Sequence, residues 1–159
     1  MKRILLTQGK HTLVSDCDYG YLSQWKWRFD RYAVRTVHVR GNSKKTKVVF
    51  MHLVIAKRMR MSLKSEVDHK NQDKLDNQRH NLRPANDRQQ NGNRGLRKDN
   101  TSGYRGVTWK PKSRKWQAEI HLGKKKVYLG LHLSKRKAAT AWNRAATKAF
   151  GKYAWLNPV

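Results

Sequence analysis

Hydrophobic positions fall into three regimes along the chain. Over residues 1–50, short β-branched and aromatic runs (Ile4–Thr7, Thr12–Val14, Trp25–Phe29, Tyr32–Val39 and Thr46–Phe50) are separated by turn residues such as Gly9 and Gly41-Asn42. Runs of this length and composition predict strands. In Tyr32–Val39, the residues Tyr32, Val34, Thr36 and His38 alternate with Ala33, Arg35, Val37 and Val39. That is the period of a sheet with one basic face. Phe50–Met59 predicts a short helix. Residues 91–103 have no apolar period and are rich in Gly, Asn and Arg, as a linker is.

Residues 104–159 have the clearest pattern. Tyr104–Trp109, Lys115–Leu122 and Lys125–Gly130 predict three strands, with Gly123-Lys124 closing the second hairpin. In the second strand Trp116, Ala118, Ile120 and Leu122 face one way, and Lys115, Gln117, Glu119 and His121 the other. In the third, Val127 and Leu129 lie opposite Lys126 and Tyr128. Ser134 is placed to cap a helix. Ala138, Trp142, Ala145 and Ala149 recur on one helical face, and Gly151 stops it. The expected fold class is α+β. A small β-rich region covers residues 1–50, a central module 51–94, a basic linker 95–103, and a three-stranded antiparallel sheet packed on one helix 104–159.

Charge changes the picture from fold to partner. The chain of 159 residues carries 37 Lys+Arg against 10 Asp+Glu, a formal charge of +27. Hydrophobic residues make up 37%, too few for one thick-cored domain, while six Trp and six Tyr argue against disorder. Such self-repulsion calls for a polyanion, with nucleic acid the first candidate. The basic residues are spread through the chain and do not form one amphipathic helix, which argues against a membrane surface. Thirds of the chain differ: residues 1–50 are net +8, 51–100 net +6, and 101–159 net +13 with Glu119 their only acid. The single cysteine, Cys17, excludes a disulfide framework and a Cys-rich zinc site. The apolar run after Lys2-Arg3 is too short for a signal peptide, so the expected location is the cytoplasm.

The acids concentrate around one polar constellation. Asp68-His69 follows Val67, Asn81-Leu82-Arg83 comes twelve residues later, and a polar run leads to Gln90-Asn91. A hard divalent cation takes carboxylate and amide oxygens, as Asp68 and Gln90 or Asn91 offer. His69 is suited to take a proton from water at neutral pH, with Asn81 fixing its ring. His52, on the preceding helix, is as well explained by packing as by a DNA or metal role, and His80 reads as a solvated loop residue.

The pattern D-H-x-N…L-D-N…N-L-R…Q-x-N over about residues 50–94 resembles the H-N-H nucleases, above all phage and intron homing endonucleases. The resemblance implies a ββα-metal finger in which Asp68 ligates a metal, His69 is the general base, Asn81 orients His69, and a helical amide completes the site. The metal implied is Mg²⁺, with Mn²⁺ as the alternative and no zinc. Departures are Gln90 where Asn is usual, Gln78 in place of Arg after Asp76-Asn77, and Asn86 in place of Thr. Asn77 and His52 are accessory candidates.

Tyr104-Arg-Gly-Val107, Trp116-x-Ala-Glu-Ile120, Tyr128-Leu-Gly130, Ala138–Ala146 and Leu156-Asn-Pro158 resemble the plant ethylene-response-factor (APETALA-type) DNA-binding domain. This resemblance implies DNA contacts by Arg105, Lys110, Lys115, Glu119, Lys126 and Tyr128. Thr108 and His121 stand where Arg is common, and Arg114 and Gln117 join the same reading surface. The helix carries Lys137 and Asn143 where the family has acids. Together the two likenesses imply a site-specific endonuclease for double-stranded DNA, acting as a monomer or homodimer. The rivals are a non-catalytic DNA-binding protein with a decayed finger and a basic RNA-binding or packaging protein.

Overall fold

A computed structural model of the chain describes residues 1–62 and 65–159, with Ser43 described by its backbone only. It is an α+β protein of two compact units, Met1–Ala85 and Asn86–Val159. Among the described residues no helix is long and apolar enough to cross a membrane.

The first unit runs β1 (Lys2–Leu5), β2 (His11–Val14), α1 (Asp16–Leu22), β3 (Arg28–Asp30), β4 (Tyr32–Val39), β5 (Asn42–Phe50), α2 (Met51–Arg58), β6 (Glu66–His69), β7 (Asp76–Asn77), a 3₁₀ turn over Arg79–Asn81, and β8 (Leu82–Ala85). β1 and β2 form a hairpin, β3-β4-β5 an antiparallel sheet, and β6 and β8 a second hairpin. The two-residue β7 pairs parallel to β2, with Leu13 opposite Asp76 and Val14 opposite Asn77. One core joins these pieces: Ile4, Val14 and Leu22 pack with Met51, Ile55 and Leu82. A boundary at 50/51 therefore cuts through a single core, because α2 buries its Met51-Ile55-Ala56 face against the N-terminal strands.

The second unit runs α3 (Asp87–Asn93), β9 (Val107–Lys110), a 3₁₀ turn over Pro111–Ser113, β10 (Lys115–Leu122), β11 (Lys125–His132), α4 (Lys135–Phe150) and a 3₁₀ turn over Gly151–Tyr153. Sheet order is β9-β10-β11. α3 opens with a capping box: Asn86 accepts from Gln89 N–H and Gln89 accepts from Asn86 N–H, both at 2.9 Å. It belongs with this unit. A Cβ on Gly92 would lie 2.7 Å from Phe150 Cγ, and Trp155 N–H donates to Gly92 O at 3.0 Å. The linker expected over 95–103 is in part a folded turn, in which Asn100 and buried Ser102 bond the Tyr104 carbonyl.

Ser134 caps α4 by accepting from Lys137 N–H, and Gly151 closes it. The buried stripe of α4 is Ala138, Ala139, Trp142, Ala146 and Phe150, one position around from the expected Ala145 and Ala149. Ala138 and Ala139 meet Val107 and Ala118, so the helix lies close on the sheet. Gly106 cannot carry a side chain: at φ +71° its Cβ would be 2.1 Å from Trp142. The C-terminal segment is pinned by amide pairs. Asn157 exchanges hydrogen bonds with Asn143, and its own amide takes Arg105 N–H at 2.6 Å.

Candidate active site and basic sheet face

His69 ends β6 and is 6% exposed. Its Nε2 lies 3.1 Å from Asn77 Oδ1. The polarity of that contact follows from the next two bonds. Thr12 Oγ1 donates its only proton to Leu75 O at 2.6 Å, so at Asn77 it must accept, and Asn77 Nδ2 donates to it at 2.8 Å. Turning the amide over would leave that hydroxyl without a proton for Asn77. Asn77 Oδ1 therefore faces His69, Nε2 carries the proton, and Nδ1 is the basic nitrogen. Thr12 and Asn77 are 0% and 1% exposed, so the relay is shielded from water.

Asn77, not Asn81, thus orients His69. Asn81 has another task, which its place at the end of the hairpin loop dictates. Its Nδ2 donates to Asn71 Oδ1 and to Asp76 O, and its Oδ1 accepts Asn71 N–H. It stitches the loop over residues 70–81. Asp68 faces Arg83 across the β6–β8 hairpin, with Arg83 Nε 2.9 Å from Asp68 Oδ2. Its carboxylate is 13% exposed. Gln90 and Asn91 lie on α3, in the second unit.

Aromatic rings wall the imidazole. His52 is 5.3 Å from His69 edge-on, and the Tyr32 ring is 5.2 Å from His52 and 6.3 Å from His69. Burial, opposed by the Asn77 hydrogen bond and by Asp68, Asp73 and Asp76, holds the His69 pKa below its ordinary value. Burial and then the neighbouring His69 push His52 down to about 4. His52 is a packed, neutral histidine. Thr12 and Tyr32 carried no local sequence signal, because both reach the site from distant strands.

The His52 shift makes a stability prediction. The unfolded chain takes a proton near pH 6.5 and the folded one only near 4. Between those values the unfolded state binds more protons, so stability is complete above about 6.5 and falls as pH drops. The full loss is about 3 kcal/mol for His52, and His69 adds to it in the same direction. Urea unfolding near pH 7 and near pH 5 will measure the part lost over that range, about 2 kcal/mol, and His52→Gln is expected to flatten the dependence without removing it.

In the second unit β10 pairs Lys115 with Lys110, Gln117 with Thr108, Glu119 with Tyr128 and His121 with Lys126. These eight side chains share the sheet face opposite α4. A bulge between Gln117 and Glu119 is absorbed at Gly130, φ +106°. It restores the alternation and lets β11 run on to His132, two residues past the expected end. Glu119 holds Lys126 Nζ at 2.9 Å and Gln117 Nε2 at 2.5 Å. Burial works against its carboxylate, but Lys126, Gln117 and His121 keep its pKa below the usual value. Arg114 is exposed in a left-handed turn.

Arg105 does not share that face. Its guanidinium donates to the carbonyls of Asn91 (2.7 Å), Gly92 (2.9 Å) and Arg94, and sits 4.9 Å from the Trp142 ring. Burial, and then Arg94, lower its pKa to about 10. It is a strut between α3 and the sheet, a role that its place in a Tyr-Arg-Gly motif did not reveal.

No protein-family model matches the chain, and no solved structure matches it.

Proposed function

We propose that the protein is a metal-dependent DNA endonuclease of the H-N-H homing type, acting on duplex DNA in the cytoplasm. The observation that carries the reading is the chain Leu75 O–Thr12–Asn77–His69, which fixes one tautomer of a buried, neutral imidazole with Nδ1 as the base. In the reaction Nδ1 takes a proton from water, the resulting hydroxide attacks phosphorus, the P–O3′ bond breaks, and the leaving 3′-oxygen is protonated. The products are a 3′-hydroxyl and a 5′-phosphate.

The donor set fits a hard, largely hydrated cation. Mg²⁺ is often held by one or two carboxylates and several waters, and Asp68 offers one carboxylate beside the base. Among the described residues no group of three or more His, Cys, Asp or Glu side chains converges on a metal position, so Asp68 and water are the donors proposed here. When bound, the ion would neutralise charge on the phosphate and the leaving oxygen. The basic sheet face built from Thr108, Lys110, Lys115, Gln117, Glu119, His121, Lys126 and Tyr128, with Arg114 at its rim, is proposed to hold the DNA major groove. Its phosphate grip comes from the lysines. One finger cuts one strand, so a monomer nicks and a double-strand break needs a second copy or event.

A non-catalytic DNA-binding protein is the second reading, and the Asp68–Arg83 ion pair favours it because it already occupies one carboxylate oxygen. Incubation with the DNA flanking its gene decides. Nicking in Mg²⁺ or Mn²⁺ that a chelator stops supports the nuclease. Tight binding without cleavage in either metal leaves the second reading.

A further inference from the structure

The N-terminal sheet has a second feature, on the face of β4 away from Tyr32. Arg35 lies with its guanidinium carbon 4.0 Å from the Trp25 ring centre and 5.6 Å from that of Trp27. Trp27 is itself fixed, 4% exposed with its indole N–H donating to Leu22 O at 2.9 Å. Stacking of this kind holds a guanidinium flat and in one place. Yet no carboxylate pairs with Arg35 among the described residues, and its buried Nε has no hydrogen-bond partner among them. Leaving a buried N–H unmade is costly, so an unsatisfied group in a native fold points to a missing partner.

The surroundings say what partner. Arg35 opens on a cleft of about 400 Å³ that Lys26, Arg28, Thr7 and Thr36 also line, with no acid among the lining residues. Asp30 offsets only Arg28, through an exposed pair at 3.2 Å. Three cations, two hydroxyls and a pre-ordered planar fork fit a tetrahedral oxyanion.

We propose that this cleft is a phosphate-binding site that grips the backbone of the DNA, so that the N-terminal sheet is itself a DNA-binding element. The inference rests on the DNA-binding part of the proposed function and is independent of cleavage. Arg35 supplies the bidentate contact, while Lys26 and Arg28 neutralise the charge around it.

The test is the salt dependence of binding of a labelled duplex by the full-length chain, without metal, followed by fluorescence anisotropy. Arg35→Gln is expected to weaken binding about tenfold near 0.1 M salt and to lower the slope of log Kd against log salt by about 1, as loss of one phosphate contact does. Lys26→Gln, which removes an exposed side chain and leaves the Trp25 stack alone, should lower the slope in the same way should Arg35→Gln fail to fold. Lys45→Gln removes the same charge from the β4–β5 hairpin and should leave the slope nearly unchanged. Unchanged slopes for the Arg35 and Lys26 variants, or an equal drop for Lys45, would overturn the site while leaving DNA binding standing. A wild-type chain that binds no duplex at all overturns both.

Discussion

Replacing His69 by alanine is expected to lower the rate of DNA cleavage by about 10²–10⁴, the usual contribution of a positioned general base, with DNA affinity unchanged. The size follows from how completely the ring is prepared. Asn77 fixes the tautomer, Thr12 fixes Asn77, and burial, by lowering the pKa, favours the neutral imidazole that a base requires. Loss of the ring removes all of this at once. Loss of Asn77 removes only the orientation. Asn77→Leu should therefore retain part of the rate, and Asn77→Asp should raise the His69 pKa and move the acid limb of the pH–rate profile upward, since a carboxylate beside Nε2 favours the imidazolium. A purely structural His69 would produce neither the shifted limb nor a rate loss at constant affinity. Single-turnover cleavage with saturating enzyme, alongside anisotropy for binding, separates the two. Full cleavage by His69→Ala would remove the base assignment.

What the sequence revealed and what it concealed divide by the range of the interactions. β10 and the start and stop of α4 were readable because alternation, a Ser cap and a terminal Gly act within a few residues. The basic face of the C-terminal sheet was readable for the same reason, and only the bulge at Gly130 had to be seen. The candidate active site was legible in part. Asp68-His69 stands at a strand end as the motif implies, but the residue that orients His69 was misassigned. Asn77 and Asn81 are alike as residues, and what separates them is the pairing of β7 with β2, whose partners (Leu13 with Asp76, Val14 with Asn77) are far apart along the chain. α1 left no apolar period in Asp-Cys-Asp-Tyr-Gly-Tyr-Leu. It forms because Leu22 enters the core and Asp18 meets two arginines from elsewhere in the unit. Arg105 is the reverse case, a surface cation by type that the fold turned inward.

Among substitutions, the Asp18 cluster carries the largest expected effect on stability. Asp18 is fully buried and takes Arg58 Nε at 2.7 Å on one oxygen, with Arg79 Nε at 2.6 Å and Arg79 Nη2 at 2.8 Å completing a clamp. Burial alone would raise its pKa, but the bonds from Arg79 and Arg58 outweigh it and hold the carboxyl below the usual range. Removing one partner of a buried ion pair costs about 3–5 kcal/mol, because the remaining charges lose their compensation. Both arginine side chains are about one-third exposed (32% and 34%), so water will recover part of that and the lower end applies. Asp18→Asn should thus destabilise the first unit by about 3 kcal/mol. At about 4–8 °C per kcal/mol for a domain of this size, its melting temperature should fall by roughly 10–25 °C. Asp16→Asn, which removes an exposed carboxylate from the same helix, should change little. The pH dependence has a fixed sign: the folded pKa is depressed, so the Asp18 contribution is present above the ordinary carboxylate pKa and is lost as pH falls through the folded value. The effect also reaches the candidate active site. Arg79 begins the turn that carries Asn81 into β8, and β8 is the strand that holds His69 opposite Leu82. Cleavage by Asp18→Asn should therefore fail at a lower temperature than cleavage by the wild type while matching it in the cold. Calorimetry and a temperature series of cleavage rates would show this, and an unchanged melting curve would mean that the clamp contributes nothing to the fold.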